Sequence, residues 1–201
     1  MAKTTTAPRL SDRYANAMVF AFEVHLYQIR KDPRQTPYIA HCQGVATYVL
    51  EDGGSEDEAI AALTHDAPED QDMALLETIR ERWGDNVASI VQACTEDKTI
   101  KDYRDRKLHY ALQIDAAGAS AVKVSLADKL HTLHHSFLVE ARGGSHDYSP
   151  SQCADVIWFY QTLVPVYRKY FPHSHLLAQL VTDLSCLEAL WLAPVHPVQL
   201  G

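Results

Sequence analysis

The chain has 201 residues, of which 47% are apolar and 22% charged, so it is long enough for one globular domain with a substantial buried core. Its formal net charge of −8 argues against a general surface for nucleic acid or anionic membrane, so a phosphate-bearing ligand would need a local basic cluster or a metal. Its four cysteines form no C-x-x-C pair, and the longest apolar run, residues 17–22, is far shorter than the roughly 18 residues of a membrane span, so we expect a cytoplasmic protein without a disulfide framework or membrane anchor.

Helical spacing of apolar residues runs through most of the chain. After Ser11, a predicted N-cap, one apolar stripe occupies positions 15, 18, 19, 22, 26 and 29, and the helix should end near the loop at residues 30–33. A second helix is predicted from about 39 to 50. Ser55 and Glu58 then form a capping-box pattern that opens the helix carrying His65.

Further helices fit residues 73–83, 86–94, 103–115, 120–140, 149–171 and 175–191. Pro150 suits the first helical turn after a Ser149 cap. No segment alternates with period two, so we predict an all-α domain. Residues 141–147 should form a flexible loop, and the C-terminal tail should be loose.

The most informative motif is the run of residues 63–70, LTHDAPED. The adjacent His65 and Asp66 offer an imidazole nitrogen and a carboxylate oxygen to the same divalent cation. Glu69 and Asp70 follow four residues after them, so a continuous helix would place all four on one face. We expect Pro68 to bend or end the helix instead, which would turn the second carboxylate pair over the metal.

Two further side chains are candidate ligands. His41 follows residues 37–40, and Asp128 lies on a helix whose apolar positions 122, 126, 130 and 133 should face the core. A mixed nitrogen and oxygen set with open positions suits Mn²⁺ or Fe²⁺, with Mn²⁺ as our first prediction, and leaves Zn²⁺, Mg²⁺, Co²⁺ and Ni²⁺ as alternatives. One such ion acidifies a bound water and polarises a phosphoryl oxygen, which indicates a hydrolase.

From about residue 15 to 170 the chain resembles the HD-domain superfamily of metal-dependent phosphohydrolases, and more narrowly the small alarmone hydrolases and the hydrolase domain of RelA/SpoT proteins. Five blocks in the family's order carry the resemblance: RKDP at 30–33 with TPYIAH at 36–41, AALTHD at 61–66 with ED at 69–70, TEDKT at 95–99, LADKL at 126–130, and FYQTL at 159–163.

The resemblance implies an HD-domain helical bundle whose metal ligands are His41, His65, Asp66 and Asp128. It implies that Glu69 and Asp70 orient and deprotonate the attacking water. The residues that it places at the substrate are Arg30, which would pack on the nucleotide base, nearby Lys31, Thr132 and Tyr160. The implied reaction removes the 3′-pyrophosphate of ppGpp or pppGpp to give GDP or GTP and pyrophosphate; some family members use ppApp or NADPH.

Three departures from the family pattern bear on the substrate. Thr132 stands where the family usually has Asn, four residues after the last metal aspartate. Ser125 replaces a common lysine, and Cys42 replaces the proline that usually follows the first metal histidine. We expect metal binding to survive these changes and nucleotide preference to shift.

Two alternative functions remain open. One is an HD-type nucleoside 5′-monophosphatase, which shares the ligands but normally has a single glutamate after His-Asp. The other is a catalytically idle module that senses a nucleotide. We predict one HD-type domain over residues 1–201, with its core at about 12–171 and a C-terminal helix at 175–191. No synthetase half is recognisable, and the sequence indicates no oligomeric state.

Among the remaining charged residues, Lys98, Arg104, Arg106 and Lys107 could form a phosphate-facing patch or an ordinary solvated helix face. The other histidines are predicted at surface or packing positions, with His131 and His134 as the two that could border the pocket.

Overall fold

The computed structural model describes residues 10–144 and 148–192. Its helices are α1 Asp12–Val24, α2 Ile39–Glu51, α3 Glu56–Thr64, α4 Ala67–Asp70, α5 Leu75–Trp83, α6 Asp85–Cys94, α7 Tyr103–Ala117, α8 Ala119–Ala141, α9 Pro150–Tyr170 and α10 His175–Trp191. Over the described ranges, pairing of extended backbone is limited to one antiparallel bridge between Ile29 and Pro37. The predicted all-α class is confirmed.

Local capping explains why the predicted helix starts agree with the structure. The Ser11 side chain accepts a hydrogen bond from the Arg13 N–H at the start of α1. Ser55 with Glu58 closes a full capping box at α3, and Ser149 does the same with Gln152 at α9. These caps satisfy backbone N–H groups that have no partner within the helix.

Helix α8 lies at the centre of the fold. It packs against α2, α3, α6, α7, α9 and α10. Val122, Leu126, Leu130 and Leu133 are almost fully buried, as their spacing predicted. Because α8 also carries Asp128, the position of that side chain is determined by the packed core around the helix.

The apolar stripe predicted along α1 does not face the core. Positions 18, 19 and 22 of the apolar stripe are 37–56% exposed, whereas Ala17, Phe20 and Ala21 face the core and α1 packs on α3. The helix also ends at Val24, so Leu26 and Ile29 lie beyond it and are about half exposed. Both faces of α1 carry apolar residues, and small alanines allow the closer approach to α3, so periodicity alone selected the wrong face.

Residues 141–144 close α8 with a turn, and the rest of the predicted flexible loop, residues 145–147, lies outside the described residues. So does the predicted loose tail from residue 193 onward. Within the part that is described, no helix combines the length and the apolar character that crossing a membrane requires.

Candidate metal centre

Four side chains from separate elements converge on one point. His41 comes from the first turn of α2, His65 and Asp66 from the junction of α3 and α4, and Asp128 from the middle of α8. His41 Nε2 lies 3.3 Å from Asp66 Oδ2 and 3.2 Å from Asp128 Oδ1. His65 Nε2 lies 3.1 Å and 3.6 Å from the same two oxygens.

The donor set fits a divalent cation. Nitrogen and oxygen ligands at ~2.0–2.2 Å from one ion lie roughly 3 Å or more from each other, as these atoms do. His65 Nδ1 is 2.8 Å from the Ala62 carbonyl oxygen and donates its proton there. In the neutral ring Nε2 then carries the lone pair, and this atom is buried without a hydrogen-bond partner. A bound metal would give this unpartnered imidazole nitrogen, which faces two carboxylates, a partner.

The electrostatics also favour two ionised carboxylates. Burial opposes the charge on Asp66, but His65 and His41 more than offset it and hold the pKa of Asp66 well below its usual range. Burial would also raise the pKa of Asp128. Lys129 in the first place, and then the two histidines, lower it by more, so the pKa of Asp128 also lies well below normal. Metal ligation requires the deprotonated form of both groups.

A second layer of contacts orients the candidate ligands. The Tyr38 hydroxyl donates to Asp66 Oδ2 at 2.6 Å, and Lys129 Nζ donates to Asp128 Oδ2 at 2.6 Å, leaving Asp128 Oδ1 facing the histidines. Asp128 raises the pKa of Lys129 despite the burial that opposes its charge. Neither Tyr38 nor Lys129 was singled out from the sequence, although each lies within three residues of a predicted ligand.

Pro68 redirects the chain as expected. Helix α3 ends at Thr64, and the short α4 begins at Ala67 with Pro68 in its first turn. Glu69 is partly buried, and its Oε2 accepts a hydrogen bond from the Glu96 N–H at 3.0 Å; burial raises the pKa of this carboxyl. Asp70 is exposed, and its Oδ2 accepts from Gln28 Nε2 at 2.7 Å.

A cavity of 510 Å³ lies beside the centre, lined mainly by α7, α8 and α9. Thr132, Tyr160 and Lys129 all line it, so two of the predicted substrate residues share one space with the lysine that holds Asp128. Lys107 lines it as well, and burial together with the neighbouring Lys129 lowers its pKa. A cavity of this size can accommodate a nucleoside. The two lysines that line it are paired with Asp128 and Glu96.

Arg30 and Lys31 lie outside this cavity. Arg30 is partly buried, and its Nη1 is 3.3 Å from Nδ1 of His131, the α8 residue that also contacts His41. Burial lowers the pKa of His131 to about 3, so the ring is neutral. Lys31 is exposed, and the structure does not bring it to the metal centre.

The predicted basic patch is largely an ion-pair network. Arg106 and Lys107 both contact Glu96, Lys98 lies near Glu69, and Arg104 pairs with Asp155. Of these cations only Lys107 lines the cavity beside the metal centre.

A family model described as HD domain matches residues 17–143, which include all four converging side chains. The chain belongs to the HD domain family. This HD-domain chain is 40% identical over 116 residues to guanosine-3′,5′-bis(diphosphate) 3′-pyrophosphohydrolase MESH1 of Xenopus tropicalis, a match that covers 57% of this chain and 64% of that protein. The protein of the same name from Homo sapiens is 39% identical over 116 residues, with the same coverage. The chain thus spans somewhat less than two thirds of these curated relatives.

A solved structure has the same fold. It is described as a metazoan ortholog of SpoT that hydrolyzes ppGpp and plays a role in starvation responses. It superposes with a TM-score of 0.76 over 90% of this chain and 98% of that one, at 24% sequence identity. The likeness confirms the predicted HD-type helical architecture.

Proposed function

We propose that this chain is a metal-dependent phosphohydrolase that removes the 3′-pyrophosphate of a guanosine alarmone, ppGpp or pppGpp, to give GDP or GTP and pyrophosphate. The observation that carries the proposal is the orphaned Nε2 of His65, which faces Asp66 and Asp128 beside a cavity of nucleoside size. The 40%-identical relative from Xenopus tropicalis, a guanosine-3′,5′-bis(diphosphate) 3′-pyrophosphohydrolase by name, supports this substrate class.

His41, His65, Asp66 and Asp128 would hold one divalent ion, for which Mn²⁺ is our first choice among the metals that such a set accepts. When bound, the ion would supply a Lewis acid that acidifies water and polarises a phosphoryl oxygen.

The Glu69-Asp70 pair would orient the attacking water and take up its proton. Burial raises the pKa of Glu69, which moves this carboxylate towards the basicity that a general base needs near neutral pH. The Glu96 N–H holds Glu69 Oε2, so the proton would be taken up by Oε1, which lies 3.7 Å from Lys98 Nζ. Asp70 is exposed, and Gln28 Nε2 donates a hydrogen bond to one of its carboxylate oxygens.

Lys129 and Lys107 would compensate the negative charge of the substrate in the cavity. Thr132 and Tyr160 line the same space and would contact the nucleotide, while Arg30 and Lys31 would approach it from the α1–α2 connection. We further propose a single HD-type domain in the cytoplasm, in which α10 completes the core by packing on α8 and α9.

The test is product identification. The purified protein, loaded with Mn²⁺, is incubated separately with ppGpp, ppApp, NADPH and nucleoside monophosphates, and the products are separated by ion-exchange chromatography. We expect GDP and pyrophosphate from ppGpp. His65→Ala should abolish them, whereas His109→Ala, which changes an exposed histidine on α7, should not.

The other outcomes identify the rivals. Inorganic phosphate released from a nucleoside monophosphate would replace the proposal with the 5′-monophosphatase. A bound nucleotide recovered intact would indicate the idle sensing module. Turnover of ppApp or NADPH in preference to ppGpp would retain the metal chemistry and change the substrate.

A further inference from the structure

Three side chains form a continuous row of nitrogen contacts that ends at a metal-ligand candidate. Arg30 Nη1 is 3.3 Å from His131 Nδ1, and the same His131 atom is 3.0 Å from His41 Nδ1. The row joins the loop after α1, helix α8 and helix α2. His41 Nε2, on the other side of its ring, faces Asp66 and Asp128.

The direction of the hydrogen bonds in this row follows from the chemistry of Arg30. A guanidinium only donates, so the His131 nitrogen that faces it must be an acceptor with a free lone pair. His41 Nδ1 must then donate to that same nitrogen, because two lone pairs facing each other would repel, and the two donors share its single lone pair. A neutral imidazole has one N–H, so His41 keeps its lone pair on Nε2, the atom directed at the metal centre.

We propose that His131, itself oriented by Arg30, is a positioning residue that selects the metal-binding tautomer of His41. This inference rests on the proposed ligand role of His41. In the opposite arrangement, His131 would direct an N–H at the Arg30 guanidinium, and His41 would direct an N–H at the metal. The row therefore links Arg30, which is expected to contact the nucleotide, to the choice of which His41 nitrogen carries the proton.

Gly44 makes room for this arrangement. It lies on α2 one turn from His41, and a β-carbon at this position would lie 2.2 Å from His131 Nε2 and 2.3 Å from its Cδ2. The ring thus lies directly against the α2 backbone. Any larger residue at 44 would push His131 away from His41.

The inference is tested by calorimetric titration of Mn²⁺ into metal-free protein without nucleotide. His131→Phe keeps the ring but removes the acceptor, and leaves the His41 N–H unsatisfied in the metal-bound form. We expect the Kd for Mn²⁺ to rise by about 10–100-fold, the usual cost of losing an outer-shell partner. His131→Asn should recover most of the affinity, because its Oδ1 takes the place of Nδ1.

The matched control is His134→Phe, the same change three residues along α8. His134 pairs with Asp183 at 2.8 Å, away from the metal centre, so its loss can lower the melting temperature but should leave the Kd unchanged. Parental affinity in His131→Phe would overturn the inference. Equal losses of Mn²⁺ affinity in His131→Phe and His131→Asn would also overturn it. The shape of the ring, and not an acceptor atom at this position, would then determine the affinity.

Arg30 supplies the second arm of the experiment. Arg30→Ala should weaken Mn²⁺ binding by removing the group that holds His131 in its accepting form, and this effect should vanish in the His131→Phe background. Equal effects of Arg30→Ala in both backgrounds would overturn the linked row. A parent that binds no Mn²⁺ would overturn the proposed metal centre and this inference together; a parent that binds Mn²⁺ beside an unaffected His131→Phe would overturn the inference alone.

Discussion

The contact between Asp128 and Lys129 leads to a prediction about stability that is separate from metal binding. Lys129 Nζ is 2.6 Å from Asp128 Oδ2, and the two side chains are only 17% and 9% exposed. Removing one partner of a buried pair leaves an uncompensated charge, which costs about 3–5 kcal/mol. Because Lys129 keeps some contact with the cavity, we expect the lower end, ~3 kcal/mol, for Asp128→Ala.

For a protein of this size that loss corresponds to a fall in melting temperature of about 6–12 °C. The measurement is thermal unfolding followed by circular dichroism, with a chelator present so that metal loss does not contribute. The double variant Asp128→Ala/Lys129→Met should regain most of the stability, because an apolar replacement removes the unpaired charge. It should still bind no metal.

The control is Asp115→Ala, which breaks the pair with Lys169, a lysine that is 59% exposed. Screening by water makes such pairs weak, so the unfolding midpoint should hardly move. A parental midpoint for Asp128→Ala, or a double variant no more stable than Asp128→Ala, would refute the argument from the buried charge.

Four further predictions concern turnover and selectivity. Glu69→Gln and Asp70→Asn should each retain the metal, measured by elemental analysis, and lose ~10²–10⁴-fold in rate. Since Glu69 must be deprotonated to act and burial raises its pKa, parental activity should fall on acidification from a higher pH than an ordinary glutamate would give. Arg30→Lys keeps the charge without the planar fork and should raise KM more than it changes stability; unchanged kinetics would remove Arg30 from the substrate site. Thr132→Asn should sharpen the preference between ppGpp and ppApp at equal metal content, and an unaltered ratio would place base recognition elsewhere.

The capped helix starts were predictable because their causes are local. Ser55 and Glu58, or Ser149 and Gln152, close their caps within four residues, so the sequence contains the whole interaction. The buried face of α1 was not predictable in this way. Residues on both sides of that helix are apolar, and the choice between them depends on α3, which lies more than 30 residues away.

In the candidate site, too, one part was predictable from the sequence and another part was not. The sequence predicted which side chains would converge, since the pattern of His41, His65-Asp66 and Asp128 has a recognisable chemistry. It did not predict their outer partners. Arg30 and His131 are 101 residues apart, and Gly44 contributes only the space that its missing side chain leaves. Contacts of this kind depend on how helices pack, and no local pattern encodes them.

The arrangement of α8 has a consequence for how this protein can change. Asp128, Lys129, His131 and Thr132 lie within five consecutive residues. Asp128 contacts His41, Lys129 contacts Asp128, His131 contacts His41 from the other side of its ring, and Thr132 lines the cavity. Each residue along a helix turns the side chain by about 100° and advances it by about 1.5 Å. One inserted residue after Asp128 would therefore misdirect every later position at once, whereas a substitution at 132 alters a single wall of the cavity. Single substitutions in α8 can therefore change substrate specificity without disturbing the other contacts, whereas insertions in α8 cannot.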